Sequence, residues 1–193
     1  MTTFKLHTLA SAPVGSLPTL EAANKEMGFI PNLYAHLASS PVTLEAYKQL
    51  GALLEKSAFN PVEQQTLLLA ISFENRCAYC VAAHSFIARN MVKADAAIIA
   101  ALRGGQVLPD AKLNALANFV RAVVQERGWV ADSNELKEFF AAGYTQQHAL
   151  EVILGVAMKT ISNYTNHLTE TPLDAAFVGE KWALPDDYAC CKR

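Results

Sequence analysis

Two thiols and an imidazole, which together could perform redox chemistry, stand close together in the segment NRCAYCVAAHS, residues 75 to 85. They are Cys77, Cys80 and His84. Residues three and four apart lie on one face of a helix, so Cys80 can approach both of the others if the segment is helical. The thiolate is the reactive form of cysteine, and a helix N-terminus, a nearby histidine and a Cys-x-x-Cys pair each lower the thiol pKa. The spacing therefore predicts a dithiol redox centre.

A centre of this kind contains the groups that peroxide reduction requires. A thiolate attacks the O–O bond and becomes a sulfenic acid, which a second thiol converts to a disulfide. The leaving oxygen needs a proton, and His84 is the candidate base and relay. Because His84 follows Cys80 by four residues and Cys77 by seven, the spacing favours Cys80 as the nucleophile and Cys77 as the resolving thiol. Thioredoxin-like proteins have the opposite order, with the N-terminal cysteine more reactive.

Two other interpretations of the motif involve no peroxide. The dithiol could act as a protein disulfide reductase or redox relay. It could also belong to a zinc-stabilised interaction module, but zinc requires a fourth ligand and usually a second pair of ligands. The remaining cysteines, Cys190 and Cys191, are adjacent in the C-terminal tail and would chelate poorly, so their role stays open.

The rest of the chain predicts helices that position the motif. An apolar period of about 3.6 residues starts at Pro41, and a buried helix is expected over residues 61–74 with Asn60 as its N-cap. The motif helix should run from about Asn75 to Asn90. Further helices are expected to begin at Asp95, Asp110, Asp132 and Thr145 and to end near Gly104, Gly128, Gly143 and Pro172. No segment alternates with period two over a sustained length, so the predicted class is all-α.

Length and composition indicate one globular domain over residues 1–193, with an irregular N-terminal arm and an irregular tail from Asp174. The 193 residues are 52% hydrophobic and carry a net charge of −2. Without a basic patch, nucleic acid is not an expected partner. The apolar stretches fall short of the roughly 20 residues of a membrane span, and the N-terminus does not resemble a signal peptide. We therefore expect a cytoplasmic protein with no membrane partner.

Several segments carry a resemblance to a known family. SFENRCAYCVAAHS resembles the core motif of the alkyl hydroperoxidase D-like proteins, within the carboxymuconolactone decarboxylase superfamily. GFIPNLYAHLASSP, ALRGG and ISNYTNHLTETPLD resemble its longer, peroxidase-related branch, so the resemblance covers roughly residues 25 to 178. It implies a compact multi-helix bundle with the CxxC at the start of a buried helix, commonly in trimers or hexamers. It also implies alkyl hydroperoxide reduction, with Cys80 peroxidatic, Cys77 resolving and His84 in the proton relay.

One position departs from the pattern of that family. In alkyl hydroperoxidase D a glutamate twelve positions before the first cysteine completes the relay, and here that position is Gln65. An amide can bond to His84 but cannot shuttle a proton. Glu63 lies about 200° away around the helix and should face elsewhere. Glu74 could serve if the helix boundary folds back, and Tyr79 is another possible donor, although aromatic packing is its more ordinary role.

Weaker candidates are polar residues outside the motif. We expect capping or surface roles for His148 and His167 and a surface or interface position for His36. The cluster of Asn163, Tyr164 and Asn166 could approach the motif helix or stabilise a subunit contact.

The sequence thus predicts a thiol-dependent peroxidase, an antioxidant oxidoreductase acting on organic hydroperoxides or hydrogen peroxide. It would need no metal or organic cofactor, but it would need a dithiol reductant or reducing protein to reopen the disulfide. The resemblance implies a homo-oligomer. A carboxymuconolactone-type decarboxylase is a less favoured alternative because, by the same resemblance, the decarboxylases proper lack the CxxC.

Overall fold

The computed structural model describes residues 4–189, and this part of the chain is helical without strands, which confirms the all-α class. The helices are α1 (Leu17–Met27), α2 (Asn32–Leu37), α3 (Pro41–Leu54), α4 (Pro61–Glu74), α5 (Ala78–Ile87), α6 (Ala96–Gly104), α7 (Ala111–Gln125), α8 (Asn134–Ala141), α9 (Gln146–Thr169) and α10 (Asp186–Ala189). Short 3-10 segments cover Val14–Ser16 and Ala175–Glu180, and a π-helical segment, Ala88–Val92, extends α5.

Helix α4 lies at the centre and packs against α5, α6, α7 and α9. Its start is fixed by a capping box, in which Asn60 Oδ1 accepts from the Glu63 N–H and the Glu63 carboxylate accepts from the Asn60 N–H. Pro61 occupies the first turn, where no N–H is needed. The unbroken apolar run that follows is buried on all sides, as the sequence predicts for residues 61–74.

The turn between α4 and α5 sets the position of the thiols. Arg76 adopts a left-handed conformation at φ 56°, and the N–H groups of Arg76 and Cys77 donate to the carbonyls of Phe73 and Ser72. This pair of bonds is a Schellman motif that ends α4. The expected start of the motif helix near Asn75 is therefore wrong: Asn75 caps α4, and α5 begins at Ala78 with Cys77 as its N-cap.

Two further expectations need correction. Helix α8 is capped by Ser133 rather than Asp132, since Ser133 Oγ accepts from the Leu136 N–H. The tail after Asp174 is more ordered than expected, because the Asp174 carboxylate accepts hydrogen bonds from Tyr79 Oη and the Asn32 N–H. These bonds hold the 3-10 segment against α5 and α2. Cys190 and Cys191 lie outside the described residues.

Helix α9 packs tightly against α4 at Gly155. A Cβ atom on Gly155 would lie 2.8 Å from Leu67 Cδ2, and Leu67 is completely buried. Gly51, inside α3, offers a contrast because its Cβ would meet Met158 Cε at an ordinary 3.5 Å.

We predict that Gly155→Ala lowers the free energy of unfolding relative to Gly51→Ala by about 1–3 kcal/mol, the usual cost of overpacking. Both changes gain similar helix propensity, so the difference isolates the contact with Leu67. Urea denaturation of the two variants measures it. Equal stabilities would show that α4 and α9 can separate at no cost.

Candidate dithiol site

The two cysteines of the motif face each other at the N-terminus of α5. Both thiols are free, and the side chains are almost completely buried, with exposures of 1% for Cys77 and 2% for Cys80. Cys77 is the N-cap and Cys80 lies in the first turn, where the helix dipole favours a negative charge. A thiolate formed here is held away from bulk water.

A polar face of α9 surrounds the Cys80 sulfur. Asn166 Nδ2 lies 3.2 Å from Cys80 Sγ and 3.7 Å from Cys77 Sγ, so the amide bridges the pair. Ser162 Oγ lies 3.9 Å from Cys80 Sγ. Lys159 stands one turn before Ser162 on the same helix and is completely buried. This face provides hydrogen-bond donors and one positive charge.

The pKa values of the two thiols move in opposite directions. The hydrogen bond between the thiols raises the pKa of Cys77, and burial raises it further. Burial also acts to raise the pKa of Cys80, but the Cys77 hydrogen bond, the Lys159 charge and the Ser162 hydroxyl outweigh it and lower that pKa well below the ordinary value. Cys80 is therefore the more acidic of the two thiols, and Cys77 is the one that holds its proton more tightly.

His84 lies one turn after Cys80 on α5, and its ring forms a hydrogen bond with Gln65 on α4. Its Nδ1 is 3.0 Å from Gln65 Oε1. Burial, reinforced by the Lys159 charge, lowers the pKa of His84 well below its usual value, so the ring is neutral at neutral pH. A neutral imidazole facing an amide oxygen through Nδ1 carries its proton there, which leaves Nε2 as an acceptor. His84 can therefore accept a proton more readily than supply one.

The two glutamates considered for the relay have partners elsewhere. Glu63, as expected, is directed away: it caps α4, accepts from Tyr144 Oη and lies 2.9 Å from Lys112 Nζ. Glu74 accepts from Gln125 Nε2 on α7. The structure groups neither carboxylate with the thiols.

Tyr79 has a tethering role in this structure. Its hydroxyl donates to Asp174 and accepts from the Leu33 N–H, and its ring packs edge-on against Phe177. Burial, followed by the bond to Asp174, raises the pKa of Tyr79 strongly. The side chain joins α5 to α2 and to the C-terminal segment.

The candidates that the sequence indicated outside the motif lie at different places in the structure. His148 Nδ1 accepts from the Thr145 N–H in the capping box of α9, and His167 stacks on the exposed Tyr164 ring. Asn163 accepts from Asn75 Nδ2 at the α4–α5 turn. His36 is 6% exposed, so a surface position was the wrong expectation.

Sequence reasoning missed Lys159 and Ser162. The apolar residues that mark α9 in the sequence lie largely on its exposed face, with Leu150 and Leu168 both mainly exposed. The buried face instead begins with Val152 and Gly155 and continues into the polar residues. The available signal was the 3.6-residue period, which places Lys159, Ser162 and Asn166 on that same face.

Two kinds of feature are absent from residues 4–189. No helix within residues 4–189 has the length and apolar character needed to cross a bilayer. The same residues contain no group of three or more histidine, cysteine, aspartate or glutamate side chains arranged to hold a metal ion.

Comparison with known proteins relates this geometry to a family. The family model of the carboxymuconolactone decarboxylase family matches residues 41–125. Among curated proteins, no sequence matches the chain.

Solved structures share this fold over most of the chain. An alkylhydroperoxidase AhpD core, a peroxidase-related protein from Ralstonia eutropha JMP134, is 20% identical with a TM-score of 0.80, over 92% of this chain and 96% of that one. A peroxidase-related protein from Silicibacter sp. TM1040 is 17% identical with a TM-score of 0.77, over 92% and 96%. The debrominase Bmp8, in a cysteine-to-alanine variant with 2,3,4-tribromopyrrole, is 18% identical with a TM-score of 0.76, over 93% and 96%.

The fold and the site together define an all-helical protein with a buried CxxC dithiol. The carboxymuconolactone decarboxylase family model thus matches one segment of the chain, and the fold of the described residues is that of the alkylhydroperoxidase AhpD core and the peroxidase-related protein.

The Ser162 hydroxyl donates to the carbonyls of Met158 and Lys159 when Cys80 is a thiol, and it can turn to donate to the sulfur once the thiolate forms. We predict that Ser162→Ala raises the pKa of Cys80 by up to about one unit, because the thiolate then lacks this hydroxyl. Thiolate absorbance followed against pH measures the shift. Thr160→Ala is the matched control, since its hydroxyl likewise donates to a helix carbonyl, that of Val156. An unchanged pKa would mean that Ser162 does not act on the sulfur.

We also predict that Gln65→Glu raises the pKa of His84. A carboxylate in place of the amide favours the imidazolium form at a distance of 3.0 Å. The nuclear magnetic resonance titration of His84 measures it, with Gln146→Glu at the exposed start of α9 as the control. A His84 pKa that stays below its usual range would contradict this coupling.

Proposed function

We propose that the protein is a thiol-dependent peroxidase that reduces organic hydroperoxides or hydrogen peroxide. The observation that carries this proposal is the pair of free, buried thiols at the N-terminus of α5, which Asn166 Nδ2 bridges and whose pKa values are shifted in opposite directions. Peroxide reduction uses two such thiols in turn: the more acidic one attacks as the thiolate, and the other resolves.

The reaction proceeds in two steps at the N-terminus of α5. Cys80 attacks the O–O bond and becomes the sulfenic acid, while the other oxygen leaves as an alcohol or as water after taking a proton. Cys77 then condenses with the sulfenic acid, forming the disulfide and releasing water. His84 Nε2 is the acceptor that can take the Cys77 proton as its sulfur attacks. A dithiol reductant or reducing protein reopens the disulfide, so a reducing compartment such as the cytoplasm suits the cycle.

A second function is disulfide reduction or redox relay. The amide at Gln65 favours it, because no acid there completes a relay through His84. The burial of both thiols weighs against it, since a protein disulfide has to reach a sulfur that is 1–2% exposed, whereas a small peroxide needs much less room. We therefore place peroxide reduction first.

The assembly is also a proposal. Leu150, Ile153, Tyr164 and Leu168 expose apolar surface along one face of α9. Apolar surface of this kind supports the homo-oligomer, a trimer or hexamer, that the resemblance implies.

The test is turnover of tert-butyl hydroperoxide with a dithiol reductant, followed by mass spectrometry of the oxidised protein. We expect a Cys77–Cys80 disulfide in the wild type and no turnover in Cys80→Ser. Cys77→Ser should stop at a sulfenic acid on Cys80, which dimedone traps. The Cys190→Ser/Cys191→Ser variant removes the tail thiols as a control and should behave like the wild type.

Other results would point to another function. Slow turnover with a readily formed disulfide would favour the redox relay. Labelling at Cys77 alone would reverse the order of the thiols, and a decarboxylase activity surviving in Cys80→Ser would revive the decarboxylase interpretation. Thiols that stay reduced after peroxide treatment would exclude both redox functions.

A further inference from the structure

Lys159 is an unusual residue for the interior of a helical protein. Its side chain has no exposed surface, and its Nζ is paired with no oxygen or nitrogen of the described residues, while its charge and a side-chain hydrogen bond act on Cys80. Lysine is almost never fully buried unless it is paired. An ammonium is costly to bury away from water, so a partner of opposite charge is expected beside it.

The position of Lys159 points to the thiols. It precedes Ser162 by three residues and Asn166 by seven on one face of α9, and both of those side chains contact Cys80 Sγ. Its charge acts on all three groups of the motif, Cys77, Cys80 and His84. The ammonium therefore belongs to the reacting cluster.

The other members of the cluster are poor proton donors to a leaving oxygen. His84 is neutral, and its Nδ1 proton is bound to Gln65. The Cys77 proton is held more tightly than in an ordinary thiol and is needed for the second step. Asn166 and Ser162 contribute an amide and a hydroxyl, which do not transfer protons at neutral pH.

We propose that Lys159 is the general acid that protonates the leaving oxygen, in place of the acid absent at position 65. The proposal deepens the proposed function and rests on it. The Cys80 thiolate attacks one peroxide oxygen, the O–O bond breaks, and the sulfur is oxidised to a sulfenic acid as the peroxide is reduced. The leaving alkoxide takes a proton from Lys159, giving an alcohol and a neutral amine. Water or the next reductant returns that proton once the disulfide has formed.

Two substitutions separate proton donation from charge. Lys159→Met has similar length and removes both the charge and the proton, and Cys80 can protonate in response, so the fold survives. Lys159→Arg keeps the positive charge, but a guanidinium does not give up its proton in proteins. Lys137→Met, at an exposed position on α8, is the control for loss of a lysine.

Two oxidants, tert-butyl hydroperoxide and peracetic acid, test the role of the proton, because only one of their leaving groups needs to be protonated. Alkoxide from tert-butyl hydroperoxide needs a proton, whereas carboxylate from peracetic acid leaves without one. Cys80 oxidation is measured by stopped flow with each oxidant, and every rate is divided by the thiolate fraction found from the pH dependence of alkylation. This normalisation removes any effect of Lys159 on the pKa of Cys80.

We expect both Lys159 variants to lose about 100-fold or more with tert-butyl hydroperoxide, the scale of general acid catalysis, and to stay within about threefold of wild type with peracetic acid. Lys137→Met should match the wild type with both. Equal losses with the two oxidants, or a normal hydroperoxide rate in either variant, would overturn the donor role while leaving the peroxidase standing. A wild type that reacts with peracetic acid but not with hydroperoxide would overturn the peroxidase function, and the donor role with it.

Discussion

The burial of a thiolate and an ammonium between α5 and α9 is the constraint on which the rest of the structure depends. Removing an isolated ion from water costs several kcal/mol even after the protein relaxes. Cys80 and Lys159 offset part of that cost for each other, Asn166 Nδ2 donates to the sulfur, and Ser162 Oγ lies beside it. The arrangement holds only if the two helices keep a fixed separation and register.

The surrounding structure supplies that register. Gly155 lets α9 lie against Leu67 of α4, and the Schellman turn at Arg76 joins α4 to α5 without a flexible loop. On the other side, the bond from Tyr79 to Asp174 attaches the C-terminal segment to α5. Each contact limits the motion of a helix that carries a member of the site, so the thiol environment is fixed before an oxidant arrives.

Local signals predicted much of this from sequence alone. Asn60 followed by a proline marks the start of α4, and the two cysteines and His84 lie within one short segment. Both features could therefore be predicted from the sequence. The Schellman turn was not, because Arg76 occupies the left-handed position where glycine is usual. The partners of Cys80 on α9 could not be predicted, because they lie about eighty residues away in the sequence. The regularly spaced apolar residues of α9 also lie largely on its exposed face, not on the face that contacts the thiols.

Charge balance connects the amide at Gln65 to the lysine at Lys159. With a neutral His84, the described cluster contains one anion, the Cys80 thiolate, and one cation, so its net charge is zero. A glutamate at position 65 would add a buried negative charge, which only a protonated His84 could neutralise. With Lys159 in place, an amide at position 65 keeps the net charge at zero when His84 is neutral, whereas a glutamate there would keep it at zero only with an imidazolium. The amide at Gln65 and the charge of Lys159 therefore both favour a neutral His84.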